Sequence, residues 1–199
     1  MLTSAMITCT LTTRLKDHAK MSAQAAFRTK VLFDTNQLLQ KAKSEEEIFS
    51  LTASQLMKLL NRSLIVYLEQ NGGLGAEQVF GVDGETAQNI FSAPEERDAA
   101  NWTFANKKRS GAGTDSYPDA KGLYLALRTG GGVFGVIGID LSEKPLDAFE
   151  NSVLLSILGE GALAIENRRN ALEKEQATVQ AKNEELRANL LRTISHDLR

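Results

Sequence analysis

The chain of 199 residues is short of the residues that staple or interrupt a fold. It has one cysteine, Cys9, so no internal disulfide can form. One cysteine also cannot build a zinc site, and the two histidines, His18 and His196, lie far apart in sequence. A cysteine-poor chain suits a reducing cytoplasm. There are three prolines, so long helices meet few breaks. Neither charge dominates: 23 basic residues face 25 acidic ones, a net charge of −2. That balance gives no reason to expect nucleic acid as a partner. No stretch reads as a complete membrane span, which needs roughly 20 mostly apolar residues.

What is present fits a soluble globular domain with additional helix. Hydrophobic residues make up 42% and charged residues 24% of the chain. Met1 to Thr13 carries no charge, and Arg14, Lys16 and Lys20 follow. Two readings compete for this start. It is a disordered or amphipathic start that packs somewhere, or the last half of a transmembrane helix with positive charge just inside the membrane. No basic region precedes the apolar part, which argues against a signal peptide.

Further along, residues 17–43 are rich in helix formers. Ser44 followed by Glu47 predicts a capping box. Behind it, Ile48, Thr52, Leu56 and Leu60 give a helix with one apolar stripe, expected on a sheet. Leu64 to Leu68 predicts a strand, Asn71 to Gly73 a turn, and Gln78 to Val82 a second strand. Ser92 and Glu95 suggest another capping box, opening a helix that ends near Asn106. A loop covers Lys107 to Ala120. Leu123 to Leu127 and Val133 to Leu141 then form an antiparallel hairpin. From Pro145 the chain is helical to its end. The expected architecture is α+β: an antiparallel sheet with helices on one side and a long helix leaving it.

The last helix carries Ile165, Leu172, Val179 and Leu186 every seven residues, a coiled-coil interval. The companion core positions are Arg169, Gln176, Asn183 and Leu190, and Leu190 alone is apolar. This predicts a frail coiled coil that pairs in a homodimer and shifts register easily. A single solvated helix is the competing reading.

Gly130, Gly132 and Gly135 match the dinucleotide-binding glycine spacing, but a strand follows them where that motif needs a helix. Lys107-Lys108-Arg109 offers an anion site or a solvated helix end favoured by the helix dipole. Gly111 to Asp115 offers backbone donors or an ordinary loop. His196 stands out. It lies on a polar helix with Asp197 beside it and with Leu191, Ile194 and Leu198 at helical spacing. Neutral imidazole is a nucleophile near pH 7, and an adjacent carboxylate can fix its tautomer.

Leu190 to Arg199 resembles the H-box of sensor histidine kinases. Ala99 to Asn106, Ser110 to Asp115 and Pro118 to Leu125 are similar to stretches of the KdpD sensor kinases, as is Gly135 to Gly138. That resemblance implies a GAF-type sensor domain. It implies residues 1–15 as the end of a transmembrane helix and 16–43 as a linker helix. It further implies 44–165 as the GAF-like domain and 166–199 as the start of the dimerisation and phosphoacceptor domain. His196 would be the phosphoacceptor and Asp197 its acid/base partner. The parent kinase would lie on the cytoplasmic side of the bacterial inner membrane. It would use ATP and Mg2+ through a separate catalytic domain, pass phosphate to a response regulator, and govern potassium uptake. No cofactor is expected in this segment, which lacks the catalytic domain and should be inactive alone. It also lacks the cyclic-nucleotide GAF motif. The rival readings are a small-molecule module with a polar pocket near Thr114, Asp115 and Tyr124, and a dimerisation scaffold.

Overall fold

A computed structural model describes residues 2–81 and 84–197. Helix α1 (Leu2–Leu39) leads into α2 (Glu45–Leu60). Next come β1 (Leu64–Gln70) and β2 (Gly73–Phe80), then α3 (Gly84–Ile90) and α4 (Pro94–Asn106). Strands β3 (Ser110–Gly111), β4 (Gly122–Arg128) and β5 (Val133–Asp140) precede the long helix α5 (Ala148–Asp197). The five strands form one antiparallel sheet in the order β2-β1-β5-β4-β3.

The sheet is covered on both faces, where the sequence suggested helices on one. Alternation along the strands explains this. Leu64, Val66 and Leu68 face one core with Leu123, Leu125 and Leu127, against α1, α2 and α5. Ile65, Tyr67, Tyr124 and Val136 face a second, smaller core with Ala99 and Ala100 of α4. The apolar residues of β4 and β5 thus serve two layers, and the second needs a helix of its own.

Local chemistry accounts for most element ends. The Ser44 hydroxyl accepts from the Glu47 amide at 3.2 Å. The Glu47 carboxylate reaches back one residue further than a capping box predicts, to the Lys43 amide at 2.6 Å. The second expected capping box does not form. Ala93 is the N-cap of α4 with no side-chain bond, and Ser92 donates instead to the Asn89 carbonyl. Pro94 at the first position supplies the start. At the other end Lys107 takes a left-handed φ of 58° and its amide closes on the Thr103 carbonyl.

The β1–β2 turn is two residues long. Asn71 and Gly72 have φ of 53° and 82°, as a tight hairpin requires. Strand β2 therefore begins at Gly73, five residues before the predicted start, and ends at Phe80. Val82, the expected last residue of that strand, lies outside the described residues. Helix α3 and the two-residue β3 were not expected.

In β5 the glycines make room for the neighbouring layers. A Cβ at Gly135 would meet the Tyr67 carbonyl and the Phe49 ring of α2, and one at Gly138 would meet the Tyr124 ring.

Helices α1 and α5 run parallel. Arg28 bonds Ser156, Asn36 bonds Glu160, and Arg168 bonds the Lys43 carbonyl, so position rises along both helices together. By length and composition α5 could cross a bilayer. Its apolar half instead packs on the sheet, with Leu154, Ile157, Ala162 and Ile165 fully buried. Residues 170–192 are exposed throughout.

Candidate functional site

Among the described residues polar chemistry concentrates at several places, of which three bear on function. The first is inside the smaller core. Glu96 faces the sheet from α4 and is 1% exposed. Its carboxylate accepts from the Tyr124 hydroxyl at 2.7 Å, the Lys121 amide at 2.6 Å and the Gly122 amide at 3.1 Å. A buried carboxylate survives when its lone pairs are filled in this way. Burial, then the Glu96 hydrogen bond, pushes the Tyr124 hydroxyl far above the usual tyrosine range. Tyr67 lies alongside, and among the described residues its buried hydroxyl meets no hydrogen-bond acceptor or donor within bonding geometry. Burial raises its pKa to about 12, with Glu77 adding to the shift. The Arg97 guanidinium sits 4.7 Å from the centre of the Tyr67 ring and donates to the Leu74 and Gly75 carbonyls.

The second place is the loop after α4. Thr114 and Asp115 line an open depression with Trp102, Lys108, Arg109 and Ser116. Thr114 holds the loop itself, its hydroxyl lying 2.8 Å from the Gly111 and Ser116 carbonyls. Asp115 is exposed. The structure thus brings Thr114 and Asp115 together. It does not bring Tyr124 to them, because Tyr124 is buried against Glu96.

The third is the point where α5 leaves the sheet. Arg169 makes a two-pronged bond to the Glu45 carboxylate at 2.7 and 2.9 Å. It also reaches Glu69 at 3.5 Å and lies 5.0 Å from the centre of the Phe134 ring. The hydrogen bonds to Glu45 raise its pKa above the ordinary arginine value. Arg169 had been read as a coiled-coil core position. It is instead taken up by its own domain, and Ile165, one turn earlier, is fully buried there. The heptads free for a partner therefore begin after Arg169. Leu172, Val179, Leu186 and Leu190 are 39%, 52%, 61% and 61% exposed.

Two of these features escaped the sequence. Glu96 falls at helical spacing with Ala99, Ala100 and Thr103, which placed it on the buried face. Arg169 showed itself as a charge at a core heptad position, a signal without a visible partner. The backbone of His196 and Asp197 lies on the last turns of α5. Their side chains are outside the described residues. Among the described residues no group of three or more histidine, cysteine or acidic side chains could hold a metal ion.

No family model matches the chain. The sensor protein KdpD of Clostridium acetobutylicum is 34% identical over 200 residues, covering 100% of this chain and 22% of that protein. This chain is a KdpD-like GAF segment. It spans about a fifth of the length of the curated relative it matches. The GAF domain of the potassium sensor histidine kinase KdpD from Escherichia coli shares its fold. That match has a TM-score of 0.51 and 18% identity, and covers 76% of this chain and 99% of that one. A GAF domain of a sensor histidine kinase from Pseudomonas syringae pv. tomato aligns with a TM-score of 0.54 at 19% identity, over 80% and 97% of the two chains. The KdpD-like segment thus consists of a GAF fold entered by one long helix and left by another.

Proposed function

We propose that this KdpD-like segment senses and transmits signal in a homodimeric, membrane-anchored histidine kinase that governs potassium uptake. In the parent, on the cytoplasmic side of the inner membrane, ATP and Mg2+ bound to a separate catalytic domain supply phosphate to His196. Asp197 assists the transfer, and a response regulator receives the phosphate.

One observation carries this reading: α5 runs unbroken from the sheet core to the turn that holds His196. A rearrangement of the sensor fold is thereby applied directly to the backbone of the phosphoacceptor. The exposed leucines and valine after Arg169 supply the face for pairing with a second copy.

The test is made on the intact kinase with labelled ATP. Acid-labile label is expected on the wild type and absent from His196→Gln. A His196→Gln kinase that still carries acid-labile label would place the phosphoacceptor elsewhere.

A further inference from the structure

We propose that the open edge of β4 is a docking site for an extended acidic peptide segment of a partner protein. The sheet ends early on this side. Strand β3 is two residues long and pairs with Leu123 and Tyr124 alone. The Gly122 carbonyl accepts from the Ala112 amide. In an antiparallel ladder alternate residues turn their backbone groups to the same side, so Tyr124 and Ala126 also face this edge. Among the described residues no strand lies opposite Leu125–Arg128 there. Lys107 turns the chain away because it caps α4 in the left-handed conformation. The edge is left beside a cleft of ≈ 300 Å³.

The walls of the cleft state what would fit. Lys107, Lys108, Arg109 and Arg128 surround it. All four are exposed. Among the described residues none of their side chains forms an ion pair. On the α5 side Leu155 is 52% exposed, and a Cβ at Gly159 would meet nothing within 4 Å. Cations at an edge also discourage pairing between identical sheets, and near the end of α4 they suit the helix dipole. Neither effect calls for an apolar wall. A compact anion would use Lys108 and Arg109 and leave both the strand edge and Leu155 unused. A strand alternating apolar and acidic residues uses all of them: backbone on Ala126, one face on Leu155, carboxylates on the cations. Charge complementarity thus fixes the occupant.

The probe is a fluorescein-labelled Val-Glu-Val-Glu-Val-Glu peptide, followed by anisotropy with the whole 199-residue chain at low salt. Saturable binding is expected. The double variant Lys108→Glu/Arg128→Glu should weaken it about tenfold or more through like-charge contact. Gly159→Leu should weaken it similarly by filling the cleft. All three positions are exposed, and circular dichroism checks that each variant is folded. A peptide of the same sequence methylated on its backbone nitrogens should bind far less. Equal binding of that peptide would reduce the effect to charge attraction and overturn the proposal. Absence of saturable binding would overturn it too. So would pyrophosphate binding tighter than the peptide, which would assign the cleft to a small anion.

Discussion

Glu96 is the residue on which the smaller core depends. Three donors converge on one carboxylate that water does not reach. Removing the acceptor orphans them, whereas removing one donor leaves the acid with two partners. Glu96→Ala should therefore destabilise the fold by about 2–4 kcal/mol, and Tyr124→Phe by about 1–2 kcal/mol. Urea unfolding followed by circular dichroism measures both, and similar losses in the two variants would contradict this account. Among the described residues, the Tyr67 hydroxyl makes no hydrogen bond comparable to that of Tyr124. Sequence placed Tyr124 correctly on a strand but paired it with Thr114 and Asp115, because nothing in one dimension shows which face of β4 a helix 28 residues upstream will cover.

Among the elements, α5 has two glycines that look alike in sequence and differ in surroundings. Gly159 is exposed, and an added Cβ meets nothing. Gly161 is buried, and its Cβ would lie 2.7 Å from the Thr52 hydroxyl of α2. That hydroxyl is already committed to the Ile48 carbonyl. Gly159→Ala should raise stability by up to about 1 kcal/mol through helix propensity. Gly161→Ala should lower it by about 1–3 kcal/mol through overpacking. Thermal melts of the pair check the sign of each. Strands β1, β4 and β5 were legible because each is a short apolar run bounded by turn residues, with β-branched side chains adding to the signal in β1 and β5. Helix α3 was not, since Gly84–Ile90 is short and lacks an apolar period. The Ser92 cap failed for a related reason: a capping motif declares a local option, and Pro94 had already set the start of α4.

Across the whole molecule, the clamp at Arg169 ties the outgoing helix to both the α1–α2 junction and the β1–β2 hairpin. The ion pairs are part-exposed, and such pairs contribute little to stability, about 0–1 kcal/mol. Arg169→Ala should therefore leave the unfolding midpoint of the segment nearly unchanged. On the proposed function, the same change in the parent kinase should flatten the dependence of His196 phosphorylation on potassium. Phosphorylation assays across a potassium series measure this, and an unaltered response would show that the clamp does not couple sensor to output. The fold could be read from sequence because its cores are built from local patterns. The clamp could not, since it joins residues 124 positions apart through charge alone.

The same arrangement makes α5 a lever with its fulcrum at Arg169. His196 lies 27 residues beyond it on a continuous helix, which at 1.5 Å per residue is an arm of roughly 40 Å. A tilt of about 5° at the fulcrum moves the far end by roughly 3.5 Å, more than the length of a hydrogen bond. A change too small to disturb the packing of the sheet is thus magnified along the helix, and on the proposed function that displacement would set where His196 stands.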